Sequence, residues 1–219
     1  MTVLAVASAL TASSNASNFS AKVTNPYFPL PMGTTLTYRG SDEGKPTREV
    51  LTITHRVKTI VGAPCVVLRD KVYKGGHLEE DTTDWYSQAK DGTVWYFGEA
   101  TRTLDSKGRT VSREGSWQAG VRGAKQGIFM PAHPKVGQSF QQEFYKGHAE
   151  DHFRIVDLRG SVKVPFRSFT NVMITRETTP LEPGVVDAKW YARGFGTVRE
   201  KTLKGGSETN ELVAVTRGG

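Results

Sequence analysis

The sequence predicts an all-β protein, a single antiparallel meander that forms a barrel or half-barrel with one long cover loop. Three observations lead there. From Asn25 onward apolar and polar residues alternate with period two, as in Leu51-Thr52-Ile53-Thr54 and Val162-Lys163-Val164, which is the pattern of half-buried strands. β-Branched and aromatic residues dominate these stretches, as a pleated and partly buried surface requires. Turn chemistry interrupts the chain at short intervals, at Gly75-Gly76, Asp91-Gly92, Gly108, Gly147, Gly160, Pro183-Gly184, Gly194 and Gly205-Gly206. Together these give about ten strands joined mostly by hairpins.

At 219 residues the chain suits one such domain, and 37% hydrophobic residues with ten Phe, seven Tyr and four Trp supply a sizeable core. Residues 25–219 are read as that domain. Residues 1–24 are read as a disordered tail or a signal-peptide remnant, because Val3 to Leu10 is apolar but too short to span a bilayer and small polar residues follow it. That pattern resembles the later part of a secretory signal and points to a secreted or periplasmic protein. No other segment is long and apolar enough to be a membrane span. The formal net charge of +7 comes from Lys and Arg spread singly among acids, without a docking motif, so nucleic acid is not an expected partner. The lone Cys65 excludes an internal disulfide, and its neighbours Val66, Val67 and Leu68 mark it as a small buried hydrophobe.

The hairpin from Asp81 to Leu104 can be read residue by residue. Ala89-Lys90-Asp91-Gly92-Thr93 suits a type I turn closed by a left-handed glycine, with Ala89 facing Thr93. Counting back, Tyr86 faces Tyr96, Trp85 faces Phe97 and Thr83 faces Glu99. A turn of Asp91-Gly92 alone would instead set Asp84 against Glu99, a like-charge pair that needs a shared proton, a cation or open solvent. The first register is therefore preferred. Farther on, Gly115 to Gly137 is the one long connection, apolar at Gly127-Ile128-Phe129-Met130 and read as a packed cover with places to bend.

Strong catalytic signatures are absent: there is no Gly-x-Ser-x-Gly elbow, no His-Glu-x-x-His, no phosphate-binding loop and no dinucleotide fingerprint. No cofactor is expected. Three weaker groups remain. His148, Glu150 and His152 share one face of a strand and could ligate a metal, although a polar, solvent-facing stretch explains them better, and no metal is expected. His133, held between Pro131 and Pro134, is a candidate for proton transfer at a cavity mouth, oriented by Glu99, Glu114 or Glu143. Acids beside aromatics recur, with Asp84 next to Trp85, Glu99 after Trp95-Tyr96-Phe97, Glu114 near Trp117, Glu143 before Phe144-Tyr145 and Asp187 near Trp190. Carboxyls held against rings have raised pKa values and can act as acids. His133, Glu99, Glu114 and Glu143 are the candidate catalytic residues; Trp85, Tyr86, Trp95, Tyr96, Trp117, Phe129, Tyr145 and Trp190 are the candidate ligand-binding residues.

Several motifs carry a resemblance: Asn25-Pro26-Tyr27-Phe28-Pro29-Leu30, Asp84-Trp85-Tyr86 through Val94-Trp95-Tyr96-Phe97-Gly98-Glu99, Glu114-Gly115-Ser116-Trp117, Met130-Pro131-Ala132-His133-Pro134-Lys135-Val136-Gly137, and Pro180-Leu181-Glu182-Pro183-Gly184-Val185-Val186. They resemble an uncharacterised bacterial family of exported β-proteins. The ending Trp190-Tyr191-Ala192 with Gly194-Phe195-Gly196 is similar to strand ends of lipocalin-like and lipoprotein-carrier-like half-barrels. The resemblance implies export and a barrel or half-barrel, and no activity.

Two functions follow as expectations. One is an exported small-molecule-binding protein that takes a small apolar molecule into an aromatic, acid-lined cavity. The other is a cofactor-independent acid-base enzyme, a lyase, isomerase or hydrolase, in the same cavity. A buried acid within hydrogen-bond reach of a second titratable group favours the enzyme; a bare apolar cavity favours the binder.

Overall fold

Period-two alternation becomes strand along nearly the whole chain. The structure, a computed structural model, describes residues 18–218, and no α-helix occurs among them. In chain order the strands are β1 (Phe19–Ser20), β2 (Thr34–Asp42), β3 (Lys45–Ile60), β4 (Ala63–Lys74), β5 (His77–Ala89), β6 (Val94–Ala100), β7 (Thr103–Leu104), β8 (Thr110–Ser112) and β9 (Trp117–Gln118). They continue with β10 (Lys125–Met130), β11 (Ser139–Gln141), β12 (Glu143–Phe144), β13 (His152–Lys163), β14 (Ser168–Thr178), β15 (Val186–Ala192), β16 (Gly196–Lys204) and β17 (Thr209–Arg217).

Antiparallel pairing runs from β2 through β3, β4, β5 and β6 to β10, and from β13 through β14, β15, β16 and β17 back to β2. Closure comes from β17 lying on β2, with Thr209 opposite Ser41 at one end and Arg217 opposite Thr34 at the other. One seam remains, between β10 and β13. A bent pair of short strands bridges it: β11 pairs with β13, and β12 pairs with β10 through Lys125 opposite Phe144 and Gln126 opposite Glu143. The fold is thus an all-β meander, a nearly closed barrel with one seam.

Residues 19–23, expected outside the domain, are part of the fold. Phe19 and Ser20 pair with Ala89 and Gln88, Phe19 packs edge-on against Trp95 and Phe97, and Val23 is buried. Residues 1–17, which include Val3 to Leu10, lie outside the described residues. The segment that follows closes one end of the barrel. Asn25 Nδ2 donates to the carbonyls of Gly92 and Pro131, and Gly194 N donates to the Pro26 carbonyl, so 25–33 is tied across the strand ends. Phe28 then forms a floor, its ring 4.4 Å from Phe129 and 5.1 Å from Tyr86.

The stretch 115–137 is packed, with Trp117, Ala119, Ala124, Met130 and Pro131 buried. It also carries β9 and β10, so its middle is part of the wall, with Gly127 opposite Tyr96 and Met130 opposite Val94.

The β5–β6 hairpin combines both registers weighed above. Near the turn the Ala89 N–H donates to the Thr93 carbonyl, and Tyr86 faces Tyr96 with rings stacked at 4.5 Å. Beyond it a bulge at Phe97-Gly98 inserts one residue, and Asp84 faces Glu99 while Thr83 faces Ala100. The pairing of Thr83 with Glu99 is therefore corrected, and Trp85 stands opposite the two bulge residues, Phe97 and Gly98. Gly98 makes the bulge: its φ is +124°, and a Cβ there would sit 2.3 Å from the Trp117 carbonyl oxygen on β9. The extra residue turns Glu99 from the outer face of the barrel to the inner one.

Gly98→Ala is expected to destabilise the fold by about 3 kcal/mol or more, because strain at positive φ adds to a backbone clash. Chemical denaturation of the purified variant measures this; a loss under about 1 kcal/mol would show that the bulge is dispensable.

Candidate functional site

Alternation along the strands decides which side chains enter the barrel, and several of those in the apolar inward phase are charged. On β3 Glu49 shares its face with Leu51 and Ile53, on β4 Asp70 follows Val66 and Leu68, and on β5 Asp84 precedes Tyr86. From the other half of the wall come Glu177 on β14, Lys189 on β15, Glu200 on β16 and Asn210 on β17. Glu143 and Asp151 complete the set from beside the seam. These surround a chamber of about 250 Å³, floored and backed by Phe28, Tyr86, Tyr96 and Phe129. A vestibule of about 600 Å³ shares Glu143, Asp151, Glu177, Lys189 and Glu200 with it and extends outward to Glu80, Glu99, Glu114, Glu182 and Asp187.

Lys189 is the only lysine or arginine that lines either space among the described residues. Its Nζ lies 2.9 Å from Glu177 Oε2 and 3.4 Å from Glu200 Oε1. Burial alone would lower the pKa of this ammonium, but Glu177 and Glu200 outweigh burial and the net shift is upward. Glu177 is held further by the hydroxyls of Thr175 at 3.0 Å and Tyr191 at 3.3 Å, which donate to its Oε1.

The remaining acids have no such cation. The Tyr96 hydroxyl lies 2.6 Å from Asp84 Oδ1 and 3.2 Å from Glu99 Oε2. One hydroxyl proton cannot be given to both, so the arrangement is satisfied when Tyr96 donates to Asp84 and a protonated Glu99 donates to the Tyr96 oxygen. Burial raises Asp84 to about 6 against the Tyr96 hydrogen bond, and burial followed by the charge of Asp84 raises Glu99. Across the chamber, burial raises Glu49 to about 7, opposed by hydrogen bonds from Asp70 and Asn210, and Asp70 is raised by burial and by Glu49. Burial with the neighbouring Asp151 lifts Glu143 to about 8; burial lifts Glu200 to about 7 against the pull of Lys189. The resting chamber thus holds its carboxyls partly as neutral acids.

Of the side chains expected at the site, Tyr86, Tyr96, Phe129 and Glu143 line the inner chamber, while Glu99 and Glu114 line the vestibule. Trp117 packs edge-on behind Tyr96 at 5.4 Å, with its indole directed at the Glu143 carboxyl, whose pKa it pulls down. Tyr145 lines neither space and is stacked on His148 of the vestibule at 4.3 Å.

The structure corrects the others. Trp85, Trp95 and Trp190 point out of the barrel, because Asp84 with Tyr86, then Tyr96, then Lys189 take the inward phase of their strands. Trp85 is covered by Lys58, whose Nζ is 3.3 Å from the ring centre; Trp95 and Trp190 are only half-buried. His133 is exposed, in a separate groove with Asp91, Pro134 and Arg193. β6 runs from the Asp91-Gly92 turn to Glu99 and β10 runs back antiparallel to it, so the residues just after Met130 return to the turn end, away from Glu99 and Glu114. His133 therefore cannot be oriented by these acids. Among the described residues no three His, Cys, Asp or Glu side chains come together as a metal ligand set, and His152 Nδ1 is engaged with the Glu150 carbonyl at 2.7 Å.

Fold and interior define a nearly closed antiparallel barrel with an acidic, aromatic-floored chamber open at one end. No protein-family model matches the sequence, and no curated protein does. Two solved structures are similar. One, from Bacteroides fragilis, is described as a candidate exported protein with a YmcC-like fold; it is 15% identical, with a TM-score of 0.49 over 87% of this chain and 98% of that one. The other, from Parabacteroides distasonis, is described as a candidate lipoprotein; it is 11% identical, with a TM-score of 0.47 over 88% of this chain and 99% of that one. At this distance nothing follows for what the present chain binds or where it works.

The acids make stability depend on pH in an unusual direction. Their folded pKa values lie above their unfolded values, so the native state binds more protons between about pH 4 and pH 8 and stability falls as pH rises through that window. The ligand-free protein is expected to melt several degrees lower at about pH 8 than at about pH 5.5. Thermal scans in matched ionic strength check this; equal or higher stability at the alkaline end would mean that the interior carboxyls are not held neutral.

Proposed function

We propose that the protein binds a small organic cation with an apolar body inside its barrel, and that it does so outside the cytoplasm. The observation that carries this reading is the charge of the chamber: Glu49, Asp70, Asp84, Glu143, Asp151, Glu177 and Glu200 face one Lys189, in a chain whose formal net charge is +7. A pair of charges about 4 Å apart interacts by roughly 4 kcal/mol at the effective dielectric of a protein surface, so a bound cation gains from several acids at once. The floor of Phe28, Tyr86, Tyr96 and Phe129 offers π faces and apolar area for the ligand's body. Glu80, Glu114 and Asp187 at the vestibule would steer a cation inward. Export is supported by Val3 to Leu10 and the small polar residues after it.

A second reading, acid-base catalysis, has its own observation: the Asp84, Tyr96 and Glu99 chain is an acid within hydrogen-bond reach of another titratable group. We favour binding because such pairings recur around the wall, at Glu49 with Asp70, at Glu143 with Asp151 and at Glu177 with Lys189 and Glu200. That is a distributed negative field, whereas general acid-base chemistry needs one donor and one acceptor at one reacting point.

Calorimetric titration with phenethylamine, phenethyl alcohol and hydrocinnamate at about pH 8 separates these cases. The amine is expected to bind at least about tenfold more tightly than the alcohol or the acid, and Asp84→Asn with Glu99→Gln is expected to weaken it by about tenfold. Equal or better binding of the neutral or anionic compound would end the cation reading. Chemical conversion of a bound compound by the wild type but not by Tyr96→Phe would favour the enzyme.

A further inference from the structure

On one side of the chamber a group of hydrogen-bond acceptors stands without donors. Asn210 is 8% exposed and lines the chamber; its Nδ2 donates to Glu49 Oε2, and its Oδ1 has no partner among the described residues. Asp70 Oδ1, on the same lining, is likewise buried and without a partner. Glu49 stands between them, hydrogen-bonded to both Asn210 and Asp70. The nearby Tyr38 hydroxyl cannot serve this set, because it donates to the Thr197 carbonyl at 3.0 Å. A buried acceptor left without a donor costs about 1–3 kcal/mol, so two side by side favour a ligand that donates to both.

Backbone geometry fixes this group. Asn210 pairs with Gly40 across β17 and β2, and a Cβ on Gly40 would fall 1.6 Å from the Thr209 carbonyl oxygen. Only glycine allows β17 this close, and the close approach sets the Asn210 amide against Glu49, which lies opposite Tyr38 on the neighbouring strand. Glu49 in turn is next to Asp70 on β4, whose strand pairs with β3 at Leu51 opposite Asp70.

We infer that Glu49, Asp70 and Asn210 form a receptor for a primary ammonium group, which deepens the cation reading and rests on it. A primary ammonium presents N–H donors and one positive charge, matching the two unpartnered oxygens, Asn210 Oδ1 and Asp70 Oδ1, and the negative charge that the Glu49 and Asp70 carboxyls carry when ionised. A quaternary ammonium has the charge but no donor and leaves Asn210 Oδ1 unsatisfied. Water could donate to both oxygens but brings no charge to balance the carboxyls. With the head group on the wall made by β3, β4 and β17, the body of the ligand extends over Phe28, Tyr86 and Phe129.

The test compares phenethylamine with phenethyltrimethylammonium on the wild-type protein, and on Asp70→Asn and Asn210→Ala variants whose folding is checked by their thermal transitions. The primary amine is expected to bind at least about tenfold more tightly than its trimethylated form, and each substitution is expected to weaken the primary amine by a clearly larger factor than the trimethylated compound, so that most of the preference is lost. Equal affinity of the wild type for both compounds would overturn the ammonium receptor while leaving the cation reading standing. Failure of both to bind would overturn the two together. The comparison on the wild type decides the matter even where a variant does not fold.

Discussion

One ion triple, Lys189 between Glu177 and Glu200, holds together an interior that would otherwise repel itself. It is the sole lysine or arginine compensation for the acids that line the chamber among the described residues. The remaining carboxyls are tolerated in two ways. They share protons, as along Asp84, Tyr96 and Glu99, or they remain largely neutral because burial makes ionisation costly. Removing one partner of a buried ion pair leaves an uncompensated charge, typically at a cost of about 3–5 kcal/mol, so the rest of the lining depends on Lys189 staying where it is.

Such an interior is expensive for a barrel whose wall could have been lined with leucine and valine. Stability is supplied elsewhere, by the apolar cluster that includes Ile53, Val66, Leu68, Phe97, Ile155, Met173 and Leu212, and by the aromatic floor around Phe28. The chamber can then be polar without collapsing. Two glycines place its chemistry: Gly98 turns Glu99 inward through a bulge, and Gly40 lets β17 bring Asn210 to Glu49. In both cases a missing Cβ lets one backbone approach another, and the gain is a side chain pointed at the cavity.

Much of the fold was legible in the sequence because strand periodicity and turn chemistry are local signals. The stacking of Tyr86 on Tyr96 followed from counting back from the Asp91 turn. What local counting missed was the bulge, although an isolated glycine inside a strand, here Gly98, is its usual mark. The like-charge pair of Asp84 and Glu99, unfavourable by local rules, is present and held by Tyr96, since a proton can be shared. Most of the acids around the chamber went unnoticed for a different reason. Glu49 beside Leu51 and Ile53, Asp70 beside Val66 and Leu68, and Lys189 beside Tyr191 each occupy the apolar phase of a strand, and reading that phase for charge would have found them. Which strands meet around the barrel, and hence that these charges converge, is a tertiary fact that no single stretch contains. The same limit misplaced His133, whose prolines shape a loop at the opposite end from the acids.

On the cation reading the chamber stores carboxyls in their neutral form, and a bound cation draws them into ionisation. The most direct measurement is a carbon-detected nuclear magnetic resonance titration of the Asp and Glu side-chain carboxyls, without and with a saturating primary amine. Several carboxyls should titrate above about pH 6 in the free protein and move downward when the amine is bound, as an added positive charge requires. If every carboxyl titrates below about pH 5 in the free protein, or if the amine leaves the titrations unmoved, the interior is not the cation site described here.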